Sequence, residues 1–131
     1  MKEQRFAQKM AETLMTQFPC ADQYPYRSWT YPQGFMLWGF MRLWERTGDK
    51  RYLRYILEYT ESHVAADGTL DLFNGSSMDD IMTGSVLVWA WRQTGDNRYL
   101  TACRRIRSVF DNYPHTTDGC FWHGRNLTGE F

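Results

Sequence analysis

The sequence has no surplus of either charge. Lys and Arg number 15, Asp and Glu number 15, and the formal net charge is zero. Without a basic excess, neither nucleic acid nor an anionic membrane is an expected partner. Cysteine is scarce: Cys20, Cys103 and Cys120 form no Cys-x-x-Cys pair and leave an odd thiol, which suits a reducing cytoplasm rather than a disulfide scaffold. No apolar run is long enough to cross a bilayer. Met1 to Met15 carries Lys2, Glu3, Arg5, Lys9 and Glu12, so it lacks the apolar core of a secretory signal. Histidine is limited to His63, His115 and His123. The first two read as surface residues. His123 with Cys120 spells Cys-x-x-His, but two ligands do not make a zinc site, and no metal or other cofactor is expected. Finally, no segment alternates at period two, which removes the case for a sheet.

What the chain does have is aromatic side chains, 17% of 131 residues, with six Trp and eight Tyr. Such an excess can fill a core or stack on sugar rings in a cleft, and composition does not choose between the two. The length is that of one ordinary domain.

Apolar periodicity predicts five helices. Residues 3 to 18 repeat Phe6, Met10, Leu14 and Phe18 at intervals of four, ending at Pro19. A turn-rich loop with Tyr24, Tyr26, Trp29 and Tyr31 leads to a helix over about Gln33 to Arg46, apolar on most of its circumference. The third helix, Lys50 to Ala66, is amphipathic and ends at Asp67-Gly68. The fourth follows Phe73-Asn-Gly-Ser-Ser-Met-Asp-Asp and is apolar nearly all round, with Val86, Leu87, Val88, Trp89 and Trp91. The fifth, Asn97 to Tyr113, sets Tyr99, Cys103, Ile106 and Phe110 on one stripe. A helix apolar on every side belongs inside, so Trp38, Trp44, Trp89 and Trp91 read as core.

An internal repeat organises these helices. Thr47-Gly48-Asp49-Lys50-Arg51-Tyr52-Leu53 recurs 47 residues on as Thr94-Gly95-Asp96-Asn97-Arg98-Tyr99-Leu100. Each copy joins an all-apolar helix to an amphipathic one, the mark of stacked helix hairpins with inner and outer members. If the inner helices run parallel, the loops Trp29 to Gly34, Gly75 to Asp80 and Cys120 to Gly124 gather at one end. Those loops carry loop-borne aromatics, a histidine and the adjacent acids Asp79 and Asp80, the makings of a small-molecule pocket. The plainer reading is that Asp79 and Asp80 cap the fourth helix and complement its dipole. A helix N-terminus favours a carboxylate over a carboxylic acid, so a single acid there is a poor proton donor and needs a second acidic group.

Trp29-x-Tyr31-x-x-Gly34 before an inner helix, the Thr-Gly-Asp-x-x-Tyr turns, Met78-Asp79-Asp80 with Gly84, and Gly119-x-Phe121-Trp122-His123 occur together and in order. This combination resembles the N-terminal part of the unsaturated rhamnogalacturonyl hydrolases, glycoside hydrolase family 105, related to the unsaturated glucuronyl hydrolases, from about Phe6 to Arg125. The resemblance implies an all-α fold of helix hairpins closed into an (α/α)6 barrel, of which this chain holds fewer than half the helices as a single incomplete domain over residues 1 to 131. It also implies a cofactor-free hydrolysis of unsaturated uronic acid oligosaccharides from pectin breakdown. An aspartic acid protonates C4 of the vinyl ether, water adds at C5, and the hemiketal collapses to release the second sugar.

Position by position, the resemblance implies Asp79 as the first active-site aspartate, with Met78 beside it. Trp29 and Tyr31 match an aromatic wall, and His123 matches a histidine lining the uronate site. The principal proton donor of that family lies in a Trp-x-Asp-Gly type segment after Phe-Trp-His, and no such segment stands in the eight residues that follow His123. The tail Asn126 to Phe131 does not read as a natural helix end, so the expectation is a truncated, inactive polypeptide. Asn126-x-Thr128 forms a glycosylation sequon without meaning in a cytoplasmic protein. Open apolar faces at Phe35, Leu37, Val86 and Trp89 predict self-association. Two other readings fit the pattern. A non-catalytic helical-repeat binding module would need inner helices less apolar than these. An epimerase on the same toroid would use several central histidines, where only His123 is suitably placed.

Overall fold

The computed structural model describes residues 2–126, with side chains from Arg5 onward. Thr128 of the sequon and the tail beyond Asn126 lie outside the described residues. Five α-helices follow in order among them: α1 (Lys2–Gln17), α2 (Tyr31–Thr47), α3 (Lys50–His63), α4 (Ile81–Thr94) and α5 (Asn97–Ser108). Short 3-10 turns occur besides, at Ala21–Gln23, Met78–Asp80 and Val109–Asn112, with isolated β-bridges at Val64 with Leu70, Ser77 with Gly124 and His115 with Phe121, and no strand forms among the described residues.

The two copies of the Thr-Gly-Asp turn are built alike. Gly48 and Gly95 sit at φ 66° and 72° and donate their N–H groups to the carbonyls of Trp44 and Trp91. This left-handed helix end suits glycine, which has no Cβ to clash. The next residue starts the following helix: Asp49 accepts from the Arg51 N–H and Asp96 from the Arg98 N–H, both at 2.9 Å. Thr47 and Thr94 close the preceding helices by donating to the Leu43 and Ala90 carbonyls at 2.7 and 2.8 Å. Tyr52 and Tyr99, one turn on, are both buried.

α2 packs against α3 and α4, and α4 against α3 and α5. The core between them holds Leu37, Phe40, Tyr52, Ile56, Tyr59, Val86, Leu87, Tyr99 and Ala102. Full burial of each Leu, Val or Ile side chain is worth about 1.5–3 kcal/mol before the entropy cost of ordering it. α2 and α4 start side by side. The Thr83 hydroxyl donates to the Thr30 carbonyl at 2.7 Å, and a Cβ on Gly34 would lie 2.9 Å from the Thr83 nitrogen. Glycine here lets two inner helices approach at their N-terminal turns.

The structure departs from the sequence reading at several points. α3 ends at His63, because Val64 turns extended and the 64–71 segment supplies its own bonds, Ala65 N–H to the Thr69 carbonyl and Asp71 N–H to the His63 carbonyl. α5 ends at Ser108 and tightens into a 3-10 turn over Val109–Asn112. Leu37, Val86 and Trp89 are buried rather than open, since the helices present already cover them. Trp38 is not core but 43% exposed, with the Arg42 guanidinium 4.9 Å over its ring. Of the apolar faces expected to lie open, Phe35 does, at 70%.

Candidate functional site

Asp79 and Asp80 stand on a 3-10 turn, Met78–Asp80, that runs directly into α4. Ser77 starts the turn, its hydroxyl accepting from the Asp79 N–H at 3.2 Å. The loop carrying His123 is tied to the same place. Met78 N–H donates to the His123 carbonyl at 2.8 Å, Ser77 bridges to Gly124, and the Tyr113 hydroxyl donates to the His123 carbonyl at 3.3 Å. These main-chain ties bring the His123 Nε2 to 3.6 Å from the Asp79 Oδ2, with both side chains substantially open to solvent.

Arg125 locks the arrangement from behind. Its guanidinium donates to the carbonyls of Gly75, Asn112 and Val109 at 3.1, 3.1 and 2.9 Å, and its own N–H to the Ser76 carbonyl at 2.8 Å. One side chain therefore fastens the segment before the acids to the turn after α5, satisfying carbonyls a helix end leaves unpaired. Gly75, at φ 66°, would drive a Cβ to 2.8 Å from Val109 at this junction.

The two acids occupy different surroundings. Asp80 holds the residue position that caps α4 yet makes no side-chain capping bond. Half-buried, its carboxyl is pushed above its ordinary value, first by desolvation and then by the charge of Asp79 beside it. Asp79 instead faces an imidazole. Adjacent carboxyl groups in unlike settings, with a histidine at one of them, are an arrangement able to hold sugar hydroxyls and to exchange protons with a ligand.

Asp79, Met78 and His123, singled out in the sequence, thus meet at one end of the inner helices. Tyr31 is half-exposed in the first turn of α2 and lines the groove between α1 and α2 with Tyr24, Pro32 and Phe35. Trp29 does not stand open as a stacking wall. It is 2% exposed, its indole N–H donates to the Asp80 carbonyl at 3.0 Å, and its ring lies against Tyr59 and His63. Its motif position next to a polar loop suggested a ligand contact, but the cavity beneath the acid turn takes the ring instead. His63, expected at the surface, is fully buried beside Asp22. It continues the Tyr52, Ile56, Tyr59 stripe of α3, a period that marks it as inward. Ser77 caps the turn as a serine before an apolar run should, whereas Arg125 has main-chain carbonyls for partners, which leave no pattern in sequence.

Comparison with known proteins agrees with this architecture. A glycoside hydrolase from family 105 of C. acetobutylicum ATCC 824 superposes with a TM-score of 0.85 at 26% sequence identity, over 94% of this chain and 34% of that one. The present chain spans about a third of the length of that enzyme, and its helices are part of an (α/α)6 toroid. Residues 6–130 match the profile of Glycosyl Hydrolase Family 88, nearly the whole sequence, and the chain belongs to that family.

Proposed function

We propose that this chain supplies the first acidic group and part of the sugar-binding mouth of a hydrolase acting on unsaturated uronic acid oligosaccharides of the kind released from pectin. The observation that carries the reading is the placement of Asp79 at the start of an inner helix with His123 at 3.6 Å. In the reaction a carboxylic acid gives its proton to C4 of the C4=C5 bond. Water adds its oxygen to C5 and returns a proton to the carboxylate, and the hemiketal opens with expulsion of the second sugar. Asp79 contacts the sugar hydroxyls, and His123 and Met78 line the uronate. The proposal includes Tyr31 on the outer rim. No cofactor enters the scheme. Trp29 is left out of the sugar contacts and supports the acid turn.

We infer also that the 131-residue polypeptide alone does not complete the cycle. The scheme needs a proton donor besides Asp79, and the resemblance puts that donor in a segment this sequence does not contain. The test follows the ultraviolet absorbance of the unsaturated uronate in unsaturated galacturonyl-rhamnose. One arm uses this chain and the other the chain extended by its downstream coding sequence. Loss of absorbance only with the extension is the expected result. Turnover by the short chain alone would refute its inactivity. If folded protein in both arms gives neither turnover nor perturbation of Asp79 and His123 resonances by the disaccharide, the hydrolase reading fails.

A further inference from the structure

A line of buried contacts runs from the acid turn to the opposite side of α3. At its head the Trp29 indole N–H reaches the Asp80 carbonyl at 3.0 Å. The ring stacks on Tyr59 with centroids 6.0 Å apart and meets His63 edge-on at 5.7 Å. The His63 side chain is fully buried, and its Nε2 lies 2.8 Å from the Asp22 Oδ1. A carboxylate partner requires the hydrogen on Nε2. His63 Nδ1 is buried with no hydrogen-bond partner among the described residues. A bare ring nitrogen there wastes only an acceptor, whereas a second N–H would be a buried donor with nothing to receive it. Asp22 is held in turn by Arg27 at 3.1 Å, whose other nitrogen reaches Asp71 at 2.6 Å.

We propose that Trp29 is a positioning residue for the Asp79–Asp80 pair, and that buried His63, held by the partly exposed Asp22, fixes the indole that does the positioning. The Asp80 carbonyl belongs to the peptide plane joining the acid turn to α4. Anchoring that oxygen sets the rotation of the plane, and with it the direction in which Asp80 and its neighbour leave the backbone. No side-chain cap from Asp80 competes for this role. Tyr59 supplies the floor beneath the ring, its own hydroxyl donating elsewhere, to the Ser28 carbonyl at 3.2 Å. The inference rests on Asp79 as the acidic group of the site, but its test uses no sugar, so the two readings fail separately.

The experiment compares Trp29→Phe, which keeps an aromatic ring but removes the donor, with Tyr59→Phe, which removes a neighbouring buried bond and keeps its ring. Carboxyl titrations of Asp79 and Asp80 by carbon NMR and amide exchange along the chain are read in both. In Trp29→Phe the Asp80 titration moves toward that of an ordinary aspartate, and exchange at Asp79 to Ile81 quickens on the order of tenfold while α5 stays as protected as before. Tyr59→Phe leaves both readouts at the acid turn unchanged. Unaltered titration and exchange in Trp29→Phe, or equal effects in Tyr59→Phe, overturn the proposal. Should Trp29→Phe fail to fold, indole exchange in the unsubstituted protein decides. The Trp29 N–H is expected to exchange on the order of 100-fold more slowly than that of exposed Trp38, and equal rates overturn the proposal.

Discussion

Gly34 and Gly39 lie on the same helix and predict opposite outcomes for the same substitution. A Cβ at Gly34 would meet the Thr83 backbone nitrogen at 2.9 Å, and backbone cannot swing aside. Gly34→Ala therefore pushes α2 from α4 and costs about 1–3 kcal/mol, as overpacking does. At Gly39 nothing among the described residues lies within 4 Å, so Gly39→Ala gains helix propensity, about 0.5–1 kcal/mol. Denaturant midpoints of the two variants, moving in opposite directions, check this. Asp80 gives a pH-dependent case. Its folded-state pKa is raised by burial and by Asp79, so the folded chain holds this proton more tightly than the unfolded one. Below the unfolded value the group is protonated in both states and costs nothing; as pH rises through the folded value the buried charge becomes a liability. Asp80→Asn should thus raise the melting temperature at neutral pH on the order of 1–2 °C, a small figure because solvent still screens the group. The gain vanishes in acid. A gain that persists at low pH would contradict the sign.

Helix ends show how far elements can be read from sequence. The Thr-Gly-Asp turns state their geometry locally: glycine where φ is positive, Asp where an N–H group of the next helix needs an acceptor. α2, α4 and the starts of α3 and α5 were legible for that reason. Asp49→Ala and Asp96→Ala should each cost about 1 kcal/mol, the usual value of an N-cap, and similar losses in thermal melts would confirm that the two copies do the same job. The end of α5 was not legible, because Arg125 is what captures the carbonyls of Val109 and Asn112 from a loop 13 residues or more away. Replacing Arg125 by Met keeps an apolar stem but removes the guanidinium, with its three bonds to carbonyls and its place over the Tyr113 ring. Amide exchange should rise at Gly75 to Asp80 and Val109 to Asn112 together, since one guanidinium holds both; a rise in only one segment would show that the clamp does not couple them. The gathering of the Asp79 and His123 loops was legible from the repeat, and the inward side of His63 from its place on the α3 stripe, whereas the burial of Trp29, on a loop without a period, was not. An all-apolar helix such as α2 likewise gives no direction to its faces, so its sequence does not mark Trp38 as the exposed side.

At the scale of the molecule, the acid-bearing mouth and the α1-facing flank of α2 face different fates. The end carrying Asp79 and His123 is open to solvent and tied by main-chain bonds. Along the flank of α2 that faces α1, Met10, Tyr31 and Phe35 are more than half exposed and line a groove between the two helices, and Phe6 of α1 is exposed as well. A contiguous apolar patch of this kind favours contact with another apolar surface over contact with water. We predict that the 131-residue chain self-associates through this flank. In sedimentation runs its average mass should climb with concentration, and Phe35→Glu should weaken association at least about tenfold, the equivalent of 1.4 kcal/mol. Because the Phe35 side chain is 70% exposed, the same substitution should leave the melting temperature nearly unchanged, separating an interface effect from a folding one. A chain that stays monomeric and melts cooperatively at every concentration would show that α1 and the aromatic side chains of α2 shield the groove well enough on their own.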